Sequence, residues 1–540
     1  MSPTFPGIRY HAVMKRDLHW IHGLTAGAAA GVLAGVLVMR LNPEVGQPLG
    51  GVAVGVVLWA SWGALIVGLP LALLQLFVRR ISRRRETWPG PGLMAAVYFL
   101  AGVLSAVNAD LYLNLLSATA RRVVQQDAVA WFLGAVLALL VGGVIRWRGG
   151  GAAWKAAFAV MMILLPAGRL VVRPTTAAQP LAVRVEPIGA PERPLVVIGV
   201  EGLDVPVLLT HSGSGRTPTL ERFTATGAWG SVRPYEPYLR QSYWTTVATG
   251  AEPGAHGVKT HRGWKLPWLD ETLRLMPWTP QGSRLILPWG LPHQVEPPPA
   301  TVPALWERMR MSEVATTVIA WPGFWPAQSG VRTDDMDSPQ VAVEDGLRQA
   351  LEVALGAFRH RAPEVWSAIR RDQHRLGEVV ASLTAGEPNV WVHLEALAVT
   401  RRLLEPLKPR HTGEREVVEL VVELLDGQLE ALLSSAPPDA LVVLVSPYGL
   451  SPPSSYERIR RLVGIGDDWH TSGDRCWDGV LMVMGRDVVP GRVFDDVRLT
   501  DVVPTSCYLV GLPLAQYMAG EVIIEAVDAR YLNTHPLVVD

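Results

Sequence analysis

The sequence predicts an α-helical transmembrane bundle of five spans, followed by an α/β domain built on a central, mostly parallel sheet. Three observations predict it. Apolar stretches long enough to cross a bilayer crowd the first third of the chain. Short continuous apolar runs then alternate with helical periodicity. A segment rich in Pro, Ala and Val, 173–194, lies between the two and reads as a linker.

At 540 residues, with 49% hydrophobic residues and a positive mean hydropathy, the chain is larger and more apolar than one soluble domain. The five stretches fall at about 20–40, 51–78, 92–116, 128–146 and 154–172, and most reach the roughly 20 residues that a bilayer core demands. The first is too long for a cleavable signal peptide, has no small-residue cleavage pattern and is followed by further spans. Basic residues set the expected orientation. Arg9, Lys15 and Arg16 precede the first span, Arg79, Arg80, Arg83, Arg84 and Arg85 follow the second, and Arg146, Arg148 and Lys155 separate the fourth from the fifth. These segments are expected on the cytoplasmic side. An odd number of spans then puts the C-terminal domain, 195–540, in the periplasm or outside the cell, anchored in the cell (inner) membrane.

Within the bundle, Asn108, Asp110 and Asn114 mark the outer end of the third span, where either a lipid or partner contact or an interfacial position accounts for them. Pro70 and Pro166 predict kinks, and the small-residue run Gly23 to Gly35 predicts close helix packing. Formal net charge is zero. With no basic arm, zinc-type cysteine spacing or aromatic-basic alternation, nucleic acid is excluded as a partner. Cys476 and Cys507 are the only cysteines; a disulfide and two separately buried thiols both fit.

Beyond the linker, Leu195 to Val200 is the kind of apolar run found in strands buried on both faces, and similar runs occur at Ala315 to Ala320, Val390 to Leu394, Leu441 to Val445 and Val480 to Val483. Helical periodicity fills Val302 to Arg310, Val341 to Phe358 and Glu414 to Leu433. Such alternation places a ligand site at the carboxyl ends of the strands.

Several motifs in this half carry a resemblance: I-G-x-E-G at Ile198 to Gly202, T-P-x-L-x-R-F at Thr217 to Phe223, W-T-T-x-A-T-G-x-x-P-x-x-H-G at Trp244 to Gly257, A-L-W at Ala304 to Trp306, W-P-x-x-W-P-A at Trp321 to Ala327, and D-V-x-P-T at Asp501 to Thr505. Together and in this order they resemble the alkaline phosphatase superfamily, in its type I phosphodiesterase and nucleotide pyrophosphatase branch. The resemblance implies an α/β alkaline-phosphatase-like fold, two divalent metals held by Asp and His, and a metal-bound Ser or Thr that attacks phosphorus.

At the positions matching that machinery the residue types are wrong. The first-strand carboxylate is Glu201, which still suits a metal, but the nucleophile position is Arg240, with Ser242 the nearest hydroxyl. The positions implied to carry an Asp and a His after a buried strand are Ala398 and Arg402; those of a later Asp-His pair are Pro447 and Tyr448; a final His is Arg475. No metal site is expected from these residues, the alternative being zinc or manganese in a rebuilt site drawing on His393, Asp467, Asp468, His470 and Asp474. His256 is expected to make a structural hydrogen bond. The arginines Arg240, Arg402 and Arg475 replace lost metal charge in one of two ways: as a salt-bridge network sealed on Glu201, or as a fork for an anionic ligand. The leading expectation is a membrane-anchored pseudoenzyme serving as a binding or scaffold subunit. Its alternatives are an active metal-dependent phosphodiesterase or phospho-group transferase working on lipid headgroups or envelope precursors, and a structural subunit of a larger membrane complex. Expected partners are membrane lipid, a membrane protein and an anionic ligand.

Overall fold

The structure, a computed structural model, describes residues 20–45, 49–81, 90–171, 188–211, 213–236, 238–260, 262–266, 268–277, 293–294, 300–324, 331–332, 340–404, 412–450 and 477–540. They pack as two compact units. The first takes in 1–179 together with 262–295, and the second takes in 180–261 together with 296–540. The division differs from the expected contiguous domain at 195–540, because a segment from within that range folds with the bundle.

In the first unit the helices are α1 (Trp20–Leu41), α2 (Leu49–Gly63), α3 (Leu69–Ile81), α4 (Gly90–Leu111), α5 (Ala118–Trp147) and α6 (Ala152–Val171). Five segments are long and apolar enough to cross a membrane: Ile21–Leu41, Gly50–Val78, Gly90–Leu111, Ala118–Trp147 and Ala152–Leu170. The second span joins α2 to α3 through a π-helical turn, Ala64–Gly68. Pro70 explains the turn, since its ring collides with the carbonyl four residues earlier and the hydrogen-bond ladder widens to relieve it. The third apolar span, α4, ends at Leu111 rather than near 116, so Asn114 lies beyond it, while Asn108 is buried and donates to the Leu104 carbonyl at 2.8 Å. The fourth starts at Ala118 rather than near 128 because the Ser117 hydroxyl caps it, accepting from the Ala120 amide at 3.2 Å.

Helix α1 is the hub of the bundle and touches all the others. A Cβ on Gly27 would lie 2.3 Å from the Gly68 nitrogen, and one on Gly31 would lie 1.9 Å from the Trp59 carbonyl oxygen. Backbones therefore meet directly, the close approach that small residues at a helix interface allow. Asp127 ties three spans together, paired with Arg40 at 2.9 Å and Arg169 at 2.6 Å.

The second unit holds an eight-stranded sheet in the order β10-β2-β9-β8-β1-β7-β5-β6. Its strands are β1 (Leu195–Val200), β2 (Ala228–Arg233), β5 (Thr316–Ile319), β6 (Val331–Arg332), β7 (Asn389–Leu394), β8 (Leu441–Ser446), β9 (Gly479–Met484) and β10 (Arg492–Arg498); β3 (Arg262–Gly263) and β4 (His293–Gln294) pair antiparallel in the first unit. All pairs in the large sheet are parallel except the two made by β9. The helices are α7 (Val205–His211), α8 (Pro218–Thr226), α9 (Arg240–Thr249), α10 (Pro253–His256), α11 (Leu305–Met311), α12 (Asp345–Gly356), α13 (Ala362–Thr384), α14 (Ala396–Leu404), α15 (Thr412–Ser435), α16 (Val502–Leu509) and α17 (Ala529–Thr534).

Side chains alternate across β1, so Leu195 and Val197 enter one core and Val196, Ile198 and Val200 enter the other. Each such burial contributes about 1.5–3 kcal/mol, and every residue of β1, β7 and β8 is buried. The close of the expected linker is already part of this unit: Ile188 is buried, and the Glu192 amide donates to the Val510 carbonyl at 2.9 Å.

Candidate functional site

Adjacent parallel strands β7, β1 and β8 deliver their carboxyl ends to one place. Glu201 follows β1, and its amide donates to the Leu394 carbonyl at 2.9 Å, which locks the strand ends in register. His393 closes β7, and α14, starting at Ala396, carries Ala398, Arg401 and Arg402. Pro447 and Tyr448 follow β8, and Arg240 opens α9. Trp244 from α9 packs so tightly under the site that a Cβ on Gly199 would lie 2.6 Å from its ring.

The Glu201 carboxylate is fully buried, yet both oxygens are taken. Arg240 approaches Oε2 with Nε at 2.8 Å and Nη2 at 2.7 Å. The Arg402 Nη2 and the Tyr448 hydroxyl both donate to Oε1, and Arg402 Nη2 also donates to the Tyr448 oxygen at 3.1 Å. His393 Nε2 stands 3.2 Å from Oε2. Burial alone would raise the Glu201 carboxyl; the Arg240 and Arg402 guanidiniums outweigh it and hold the group well below the usual carboxylate range. Burial, reinforced by the Glu201 charge, pushes the Tyr448 phenol well up, so it stays a donor. Burial also brings the His393 imidazole down to about 4, leaving it neutral near pH 7.

A second layer of charge surrounds the first. Arg240 Nη2 reaches Glu395 at 3.3 Å, and Glu395 also pairs with Arg371 at 2.8 Å and Arg375 at 3.5 Å. Burial would lift the Glu395 carboxyl, but Arg375 and Arg240 bring it down to about 2. Asp372 caps α14 by accepting from the Glu395 amide at 3.0 Å and the Ala396 amide at 2.7 Å, and burial pushes its carboxyl up to about 7 against the pull of Arg375. Asp372, Arg371, Arg375 and Glu395 were absent from the sequence expectation. The one signal that could have found them is the charge density of 370–375, where Asp372 and Arg375 fall one turn apart on the buried face of α13.

Of the expected site residues, the structure brings Glu201, Arg240, Arg402 and Tyr448 together in direct contact. Ala398 is fully buried, with its Cα only 3.0 Å from the Cβ that a side chain at Gly202 would carry. Gly202 has φ +86°, and the left-handed backbone there needs glycine. Pro447 is buried and offers no donor or acceptor in its side chain. Ser242 belongs to a different string, in which the Tyr235 hydroxyl donates to its Oγ at 3.0 Å. His256 makes the expected structural bonds: Nδ1 accepts from the Val258 amide at 3.1 Å, so Nε2 carries the proton and faces the Thr246 hydroxyl at 3.0 Å. Arg475 and Cys476 lie outside the described residues, as do Asp467, Asp468, His470 and Asp474; Cys507 is a buried free thiol.

The two metals that the superfamily resemblance implies do not fit these residues. Glu201 has spent its lone pairs on two guanidiniums and a phenol, cations already fill the charge a metal would bring, and Ala398 and Pro447 supply no ligand. Among the described residues no group of three His, Cys, Asp or Glu side chains is placed to hold an ion.

A layered α/β domain with its site at the strand ends, after five apolar helices, defines the class: a phosphatase-type fold carried behind candidate membrane spans. The sequence model of type I phosphodiesterase / nucleotide pyrophosphatase matches residues 195–486, over half the chain, and the protein belongs to that family. Solved structures similar to it include murine ectonucleotide pyrophosphatase / phosphodiesterase 5, at 13% identity over 59% of this chain and 95% of that one, with a TM-score of 0.36. The wild-type alkaline phosphatase PafA is 12% identical over 63% of this chain and 100% of that one, with a TM-score of 0.40. A 2-O GAG sulfatase is 13% identical over 62% of this chain and 74% of that one, with a TM-score of 0.38. No curated protein matches the chain.

Proposed function

We propose that this protein is a membrane-anchored pseudoenzyme of the type I phosphodiesterase family, acting as a binding or scaffold subunit rather than a catalyst. The observation that carries the reading is the capture of Glu201 by Arg240, Arg402 and Tyr448. Charge that a bimetal centre would neutralise at a phosphoryl group is here neutralised by side chains on one another, so among the described residues none is left to polarise phosphorus or to activate a nucleophile. The same reading places the α/β domain on the outer side of the cell membrane, following the basic loops, with membrane lipid and a membrane protein as partners.

Elemental analysis of the purified full chain, alongside turnover of an aryl phosphodiester, tests the proposal. The expected outcome is neither zinc nor manganese in stoichiometric amount and no turnover; stoichiometric metal with turnover overturns it in favour of an active phosphodiesterase or transferase. A second reading, an anionic ligand, is favoured by the charge count, four guanidiniums set against three carboxylates. Arg240, Arg402, Arg371 and Arg375 face Glu201, Glu395 and Asp372. Titration with inorganic phosphate, read as a thermal shift that Arg402→Gln removes, supports that reading, and an unmoved transition rejects it.

A further inference from the structure

Between the two parts of the second unit, 180–261 and 296–540, the stretch 262–295 groups with the first unit, and its described residues are 262–266, 268–277 and 293–294. The base of the excursion is closed by β3 and β4, which pair Arg262 with Gln294 and Gly263 with His293. Its first half, 262–277, is seated on the bundle by two independent kinds of contact. The apolar one buries Leu266, Leu269, Leu273 and Met276 with Val38, Val45 and Trp59. Trp268 meets Trp59 edge to face with ring centroids 6.4 Å apart, and a Cβ on Gly55 would come within 3.0 Å of the Trp268 indole nitrogen.

The polar contact is more specific. Asn42, fully buried just past the end of α1, donates from Nδ2 to the Val38 and Leu275 carbonyls, both at 2.8 Å. Its Oδ1 accepts from the Arg274 amide at 2.7 Å and the Leu275 amide at 2.8 Å. A primary amide has two donors and two good acceptor sites, and all are spent here, most of them on the excursion's backbone. Tyr112, beyond the end of α4, donates to the Met276 carbonyl at 2.6 Å. Asn42 and Tyr112 follow the C-terminal ends of α1 and α4, and α6 finishes at the same end of the bundle as α1, since the Arg40 guanidinium donates to the Arg169 carbonyl at 2.7 Å.

We propose that residues 262–277 are a clasp: a second attachment, independent of the linker, by which the outer end of the bundle holds the α/β part of the chain. The surface that receives it is built from Asn42, Trp59 and Tyr112, and its occupant is this segment of the same chain. Severing the linker then does not free the α/β domain.

The test uses the full-length protein with a protease site placed within 174–186 and an affinity tag at the N-terminus, cleaved to completion in mild detergent. The expected result is that 188–540 still co-purifies with the tagged bundle. Separation of the two fragments on cleavage overturns the proposal. The same cleavage on the Asn42→Ala, Trp268→Ala double variant is expected to release the α/β fragment, and retention there also overturns the proposal by showing that something else holds it. An unchanged thermal transition of the uncleaved double variant shows that release is not unfolding. Should the double variant not fold, Tyr112→Phe, which removes one hydroxyl, is expected to release a larger fraction than the parent, and an unaltered fraction overturns the proposal.

Discussion

At the scale of the residue, the site is governed by what a buried carboxylate requires. Glu201 is tolerated without solvent only because two guanidiniums and a phenol meet it, and removing its charge strands those cations. Glu201→Gln is expected to destabilise the α/β domain by about 3 kcal/mol, the low end of the cost of breaking a buried pair, since Arg240 and Arg402 keep 21% and 16% of their side chains exposed. Thermal unfolding checks this. Restoring a single lost ligand is expected to harm rather than help. Ala398→Asp puts a carboxylate on a fully buried position packed beside Gly202, where a Cβ on the glycine would stand only 3.1 Å from the Ala398 Cβ. The expected cost is about 1–3 kcal/mol from overpacking alone, with no gain in zinc content. A variant that binds stoichiometric zinc at wild-type stability would contradict it.

At the scale of the element, helix α1 depends on glycine more than on any apolar side chain. Gly31→Leu would drive atoms into the Trp59 carbonyl, where even a Cβ lies at 1.9 Å, so α1 and α2 must part. The expected outcome is loss of monodisperse protein in detergent, whereas Leu139→Ala on α5, 53% exposed, is expected to behave as the parent does. Strand elements were legible where both faces are buried: the runs read from sequence at β1, β5, β7, β8 and β9 all form. Strands β2 and β10 were not, because they lie toward one margin of the sheet. Strand β2 alternates buried with half-exposed residues, and β10 carries Asp495 and Asp496 at a register shift, so neither shows a continuous apolar run. The long helix α13 was missed for a different reason: Val365, Ala368, Ile369, Leu376, Val379 and Leu383 do recur at helical spacing, but Asp372, His374, Arg375 and Glu378 are buried among them and interrupt the apolar stripe.

At the scale of the whole molecule, the buried titratable groups of the α/β unit predict how its stability follows pH. His393 and His256 are held down to about 4 and about 3 by burial, so the native state refuses protons that the unfolded chain takes below about 6.5. Their contribution is complete above that pH and is lost as pH falls toward 4 and 3. Glu201 and Glu395, both lowered, add a further loss below about 4.3. Asp372, raised to about 7, runs the other way: it keeps a proton in the native state that the unfolded chain has released, so its contribution is present below about 4 and lost as pH rises to 7. The unfolding temperature is therefore expected to fall on acidification from pH 6.5 to 4, and Asp372→Asn is expected to steepen that fall. A profile that is flat, or unchanged by the variant, would count against these assignments.

The amino-acid sequence by itself determined the five long apolar helices, the α/β layering, the family and the identity of the residues standing where ligands should be. These are legible because each rests on local chemistry: hydropathy over a helix length, apolar runs over a strand, and motifs of fixed spacing. What the arginines do was decided only by the tertiary structure. Arg240 and Arg402 are 162 positions apart in the chain, and whether they close on Glu201 or stand open depends on strand ends meeting in space. The seating of 262–277 on the bundle was likewise invisible, because hydrogen bonds exchanged between the Asn42 amide and backbone groups at 274 and 275 leave no periodicity in the sequence.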